Sequence, residues 1–164
     1  MSPKGAGGRA TTAALSLLAW LTITFAAALV GSRFRPGPWY ASLAKPDWTP
    51  PGAVFAPVWT ALYLAMGIAA WMVWRRGGGG RSRAPALALY MVQLALNALW
   101  SFLFFGLHRP GLAFLDIALL WAAILTVMVL FWRIRAAAGA LILPYLLWVS
   151  FAACLNFAIW RLNP

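Results

Sequence analysis

Acidic residues are almost missing from the chain. Asp47 and Asp116 are the only two among 164 residues, against 13 Lys+Arg. Cysteine and histidine occur once each, as Cys154 and His108. There is no carboxylate pair, no His/Cys cluster and no nucleophile with a base beside it in the sequence, so hydrolysis and metal-assisted catalysis have no residues to run on. No phosphate loop occurs either, which removes nucleotide-driven transport. A single cysteine excludes an internal disulfide, and Cys154, inside an apolar run, is predicted to be a small buried hydrophobe. Charge of either sign is scarce, at 9% of residues. A soluble domain carries about 25%, so a soluble globular fold is excluded. The net charge is +11, a balance that in a soluble domain points to nucleic acid. Here the basic residues flank apolar segments instead. That pattern reads as anchoring at a membrane surface, with lipid and not nucleic acid as the partner.

What remains is 64% hydrophobic and falls into five apolar runs, at about 10–30, 53–74, 84–105, 112–132 and 139–160. Each holds roughly 20 residues, enough to cross a hydrocarbon core of about 30 Å as a helix. The predicted fold is all-α: one domain over 1–164, a polytopic membrane protein built as a five-transmembrane-helix bundle. The basic start and the first run also describe a signal peptide, but the run exceeds a usual apolar signal segment and is read as a retained span. Arg75 to Arg83 forms a glycine-rich basic hinge, and His108-Arg109-Pro110-Gly111 a tight turn. Pro57 and Pro144 are expected to bend their helices. An odd span count without an internal repeat argues against a two-fold-repeat transporter. Ala84 and Ala88 offer a small-residue pair for close helix approach, in the bundle or in a dimer. Eight basic residues (Lys4, Arg9, Arg75, Arg76, Arg81, Arg83, Arg133, Arg135) fall on one side and five (Arg33, Arg35, Lys45, Arg109, Arg161) on the other. The positive-inside rule then puts the N-terminus in the cytoplasm of a bacterial-type cell membrane.

Between the first two runs, residues 31–52 form a connection too aromatic for a solvated linker. Trp39, Tyr40 and Trp48 lie there with Pro46, Pro50 and Pro51. Three prolines fix φ and remove backbone donors, so the stretch from Trp39 to Gly52 is predicted to be neither helix nor strand. It reads as a stiff lid lying back on the bundle, carried by Trp39, Trp48, Pro50 and Pro51.

Polar residues inside spans are costly in lipid and are expected to face the interior. On the third span Gln93, Asn97, Trp100 and Phe104 share one face. On the second, Trp59, Tyr63 and Met66 form a stripe. On the fifth, Tyr145, Trp148, Ala152 and Leu155 share a face, with Asn156 on its edge. Amides beside large flat rings suit a flat, mostly apolar ligand; they suit helix–helix packing equally. Asp116 is expected to pair with Arg109 or the helix N-terminus. His108 reads as a headgroup-level turn residue more readily than as a haem ligand, and Trp20, Trp39, Trp71, Trp74, Trp132 and Trp160 read as interfacial anchors.

These residues resemble the tryptophan-rich sensory protein / translocator protein family (TspO/MBR, the peripheral benzodiazepine receptor family), over nearly the whole chain. The first-loop pattern Trp39-Tyr40-x-x-Leu43-x-Lys45-Pro46-x-Trp48-x-Pro50-Pro51 followed by Trp59 carries the likeness. Gln93-x-x-x-Asn97-x-x-Trp100-Ser101, Pro144-Tyr145-x-x-Trp148 and Leu155-Asn156 add to it. The resemblance implies a homodimeric five-helix bundle. Its pocket, opening toward the first loop, would bind protoporphyrin IX, haem and synthetic isoquinoline carboxamide or benzodiazepine ligands, none of them covalently. Trp59, Asn97, Trp100, Trp148 and Ala152 would line it. It further implies light- and oxygen-dependent porphyrin breakdown through Trp59 and Trp148, and a sterol site at the end of the fifth span; a carrier of porphyrin or lipid is a separate alternative that no sequence feature demands. There Phe157 stands where the sterol motif has tyrosine.

Overall fold

A computed structural model of the chain describes residues 4–76 and 83–164. The described residues form six α-helices and no strand. In chain order these are α1 (Lys4–Gly31), α2 (Pro38–Ser42), α3 (Gly52–Trp74), α4 (Arg83–Ser101), α5 (Pro110–Ile134) and α6 (Ala136–Leu162). A π-helical turn, Phe102–Gly106, continues α4. Five of them (α1, α3, α4 with its π turn, α5 and α6) are long and apolar enough to cross a membrane, as the five runs predict. Gly77 to Ser82, the centre of the predicted hinge, lie outside the described residues.

The core sits where α3, α4, α5 and α6 meet. Ile117, Leu120, Ile124, Val127 and Phe131 recur at three- and four-residue spacing along α5 and are all buried. They pack with Met66, Ala70 and Val73 of α3, Tyr90 and Leu94 of α4, and Ile142 and Val149 of α6. This is one continuous helical stripe per element, with the other faces left to lipid. α1 is peripheral, with only 6% of its apolar window buried. Gly67 admits it closely, since a Cβ there would stand 2.8 Å from Leu21 Cδ2. The Thr24 hydroxyl meets the Tyr90 hydroxyl at 2.7 Å, and Trp71 Nε1 donates to Ser16 Oγ at 3.1 Å.

Several expectations are corrected. The connection between α5 and α6 is one extended residue, Arg135, not the six-residue loop left between the predicted spans. Gly139 makes so sharp a reversal possible: a Cβ there would come within 2.7 Å of Trp132 Cβ and 2.8 Å of its Cα. Cys154 is exposed on the outer face of α6; a thiol is apolar enough for lipid to serve as its buried environment. Ala84 and Ala88 point outward from α4, so close packing within the bundle is not their use. Asp116 is 5% exposed, and no ion pair with Arg109 or any other described residue forms; Arg109 stays exposed at the start of α5 while Asp116 turns inward. Of the interfacial tryptophans, Trp74, Trp132 and Trp160 are exposed, whereas Trp20 turns its ring in against Trp74 and Tyr90.

The lid contains a helix where none is predicted. Pro38 occupies the first turn of α2, the position where its missing N–H is harmless and its fixed φ is already helical. Pro46, Pro50 and Pro51 act only afterwards, and Pro51 becomes the cap residue preceding α3.

Candidate functional site

One end of the bundle gathers the lid, the α4–α5 turn and the C-terminus. Lys45 fixes the short α2 by donating from Nζ to the carbonyls of Tyr40 (2.7 Å), Leu43 (2.8 Å) and Ala41 (3.3 Å). A cation on the orphan carbonyls of a helix end satisfies them and complements the helix dipole. Thr49 closes the next turn, its hydroxyl donating to Pro46 O at 2.6 Å. The lid then meets the helices through rings. Trp39 lies edge-on to Phe104 and stacks on His108 at 4.2 Å. Trp48 meets Phe151 of α6 at 5.7 Å. His108 has φ 55, a left-handed conformation, which turns its imidazole back onto Trp39.

The π turn serves this contact. Its wider winding is closed by Leu107 N–H donating to Phe102 O at 2.8 Å. Phe104 and Phe105 are adjacent in sequence, with ring centroids 4.9 Å apart, and both rings meet Tyr40. Burial pushes the Tyr40 phenol above the ordinary tyrosine range.

Beneath Tyr40 lies a cavity of about 40 Å³, whose walls include Phe55, Trp100, Phe104, Trp148 and Ala152. Space of that size admits about three water molecules, far less than the roughly 300 Å³ at which drug-sized pockets begin. With the lid down the site is therefore nearly filled by its own rings. Asn156 braces the wall: its Oδ1 accepts from Trp100 Nε1 at 2.9 Å and its Nδ2 donates to Pro110 O at 2.8 Å. One side chain thus ties α4, α5 and α6 together. On the same wall the Trp148 N–H is buried without an acceptor among the described residues.

The predicted site residues divide into two levels. Trp100, Phe104, Trp148 and Ala152 line the cavity. Trp59, Tyr63, Asn97 and Tyr145 do not line it. Asn97 accepts a hydrogen bond from the Tyr63 hydroxyl and donates from Nδ2 to the Tyr145 hydroxyl at 3.0 Å. Trp59 joins the levels, with its ring 5.5 Å from Tyr63, 6.2 Å from Tyr145 and 6.5 Å from Trp148. Gln93, one turn from Asn97 and 1% exposed, finds no hydrogen-bond partner for either amide atom among the described residues. Of the lid residues, Trp39 and Trp48 make the ring contacts described, and Pro50 and Pro51 shape the entry to α3. Phe55, Phe105, Phe151, Ile159 and Asn163 were not predicted. Carrying the α6 face from Leu155 one turn further reaches Ile159, a signal present in the sequence.

No group of three His, Cys, Asp or Glu side chains stands together among the described residues, and the cavity lining holds no imidazole or sulfur. The polar side-chain groups on the lining are the Tyr40 phenol, the Trp100 and Trp148 indole N–H groups and the Asn156 amide, the last already engaged by Trp100 and Pro110; the rest is apolar.

Five apolar helices crossed at one end by an aromatic lid, with a tryptophan-walled cavity beside it, define a polytopic membrane protein. The sequence model of the TspO/MBR family matches residues 13–161, and the chain belongs to that family. It is 43% identical to the human translocator protein, over 82% of each chain. It is 41% identical to the tryptophan-rich protein TspO of Chlorobaculum tepidum, over 92% of this chain and 97% of that one. A third relative, the tryptophan-rich protein TspO of Archaeoglobus fulgidus, is 44% identical over 90% of this chain and 94% of its own length.

Proposed function

We propose that the protein is a membrane receptor or sensor that takes a flat, largely apolar ring system of the tetrapyrrole class beneath its lid. The observation that carries this reading is the convergence of Trp100, Phe104 and Trp148 on one cavity, roofed by Tyr40. Flat rings offer a π-system face-to-edge and face-to-face contact, and the free Trp148 N–H offers one directional bond to an acceptor on the ligand. The closed cavity is too small for such a molecule, so binding requires the lid to lift and the rings to part. The absence of a wall imidazole or thiol makes protoporphyrin IX and haem equivalent guests, held by the macrocycle and not by the iron.

The test is quenching of tryptophan fluorescence by protoporphyrin IX on the purified protein, with Trp148→Phe and Trp59→Phe alongside. Saturable quenching, weakened roughly 5- to 30-fold by Trp148→Phe and less by Trp59→Phe, is the expected result; one lost hydrogen bond and a smaller stacking face account for about 1–2 kcal/mol. Quenching that never saturates and ignores both changes would mean partition into detergent. A second reading, porphyrin degradation under light, is favoured by the 6.5 Å separation of the Trp59 and Trp148 rings. Illuminating the same sample separates the two: a degrader bleaches porphyrin faster than detergent alone and loses this with either tryptophan.

A further inference from the structure

The lid is held to the helices mainly by rings, and ring contacts allow sliding. Two hydrogen bonds do not. Asn163 Oδ1 accepts from the Ala44 N–H at 3.0 Å, and Asn163 Nδ2 donates to the Ala44 carbonyl at 2.9 Å. The carboxamide thereby mimics a backbone peptide and grips both polar groups of one lid residue. Among the described residues no other hydrogen bond runs from the lid to a distant part of the bundle. The amide is itself fixed, since its second N–H donates to Ile159 O at 2.8 Å. Ile159 is a wall residue of the cavity, so the fastening and the wall belong to the same end of α6. Ala44 stands midway between Tyr40, the roof of the cavity, and Trp48, which meets Phe151. Nothing about the alanine side chain is needed, because the grip is on its peptide.

We infer that Asn163 is the positioning residue that latches the lid over the cavity and so sets how fast a ligand enters and leaves. The ligand part of this inference rests on the receptor reading above; the latch itself does not. Both bonds are exposed to solvent, and exposed hydrogen bonds have small net strength. That suits a fastening which must open repeatedly. A latch that re-forms over the guest once the rings have parted slows entry and exit together and leaves affinity nearly alone, because it then stabilises the empty and the occupied lid-down states alike.

The experiment compares wild type with Asn163→Leu, Asn163→Ala and Asn163→Asp. Hydrogen exchange of the lid amides is read without any ligand, and stopped-flow quenching by protoporphyrin IX is read beside it. Leucine keeps the volume and removes the polar groups. Aspartate still accepts from the Ala44 N–H but sets its second oxygen against the Ala44 and Ile159 carbonyls, so it is expected to be the fastest of the four. Exchange at Ala44 and its neighbours is expected to rise roughly 5- to 30-fold. The association and dissociation rates of protoporphyrin are expected to rise together, with Kd changed less than about twofold and the unfolding midpoint of the bundle unmoved. Lid exchange equal in all four proteins overturns the latch. A Kd that weakens while both rates stay put overturns it too, and assigns Asn163 to the binding wall. Faster lid exchange with no saturable quenching in any of the four, wild type included, keeps the latch and overturns the tetrapyrrole reading.

Discussion

Replacing Asn97 by leucine tests whether the deep level of the site is a hydrogen-bonded unit or merely packed. Asn97 accepts from Tyr63 and donates to Tyr145, and these tyrosines are 7% and 1% exposed. Leucine is close in volume, so Asn97→Leu removes two interhelical bonds with little change in packing and strands two hydroxyls out of reach of water. Interhelical hydrogen bonds in membrane bundles average about 0.6 kcal/mol and reach about 1.7, so two of them come to about 1–3 kcal/mol. In a protein of this size that lowers the thermal midpoint by roughly 2–12 °C. The decisive comparison repeats the change in a Tyr63→Phe/Tyr145→Phe background. No hydroxyl is stranded there, and the lone amide has become the unpaired group. Asn97→Leu is then expected to be neutral or stabilising, a reversal of sign between backgrounds. Thermal unfolding in detergent, followed by circular dichroism, reads all four proteins. An equal loss in both backgrounds would refute the reasoning, because the amide would then be serving something other than the two phenols.

Gly139→Ala is expected to cost about 1–3 kcal/mol, since its Cβ would press on the Trp132 backbone; at Gly67 the one contact under 3 Å is the far end of the Leu21 side chain, with the Leu21 Cα and the Thr24 hydroxyl at 3.4 Å, so Gly67→Ala is expected to lower the unfolding midpoint less. Haem and protoporphyrin IX are expected to bind with affinities within a few-fold, and the haem Soret band to show no histidine-ligated shift; a strong shift lost in His108→Ala would contradict the placement of that imidazole against Trp39. The raised phenol of Tyr40 gives the closed lid a contribution that is complete below about pH 10 and is lost as pH rises through the higher folded value. Lid exchange, corrected for intrinsic rate, should therefore accelerate in alkali in wild type and not in Tyr40→Phe; identical profiles would remove Tyr40 from lid closure.

The five spans were legible because an apolar run of about 20 residues between arginines has one structural solution in a membrane. The faces of α3, α4 and α6 followed from helical spacing alone. Depth did not: periodicity tells which side of a helix looks inward, not how far down it another helix meets it, so Trp59, Tyr63, Asn97 and Tyr145 were grouped with a cavity they lie beyond. Prolines were read only as breakers, which hid the helix that Pro38 begins. Gly139 was read as the first residue of the fifth span, which gave no hint that α6 begins at Ala136 and that this glycine is there for contact with Trp132. Asp116 and Arg109 are seven apart and looked able to meet, but one belongs to the interior and the other to the surface. Asn163 left no trace in the sequence, because its partner is a peptide group and every residue has one.

The lid is continuous with α1 at one end and α3 at the other, yet what it grips belongs to the α4–α5 corner and to α6. It is a strap drawn across the mouth from one side of the bundle to the other. In lipid no hydrophobic effect presses helices together, and α1 in particular has little buried surface to hold it. Fastening the strap therefore does two things at once. It covers the mouth, and it ties α1 and α3 to the far side of the bundle, where burial alone would hold α1 weakly.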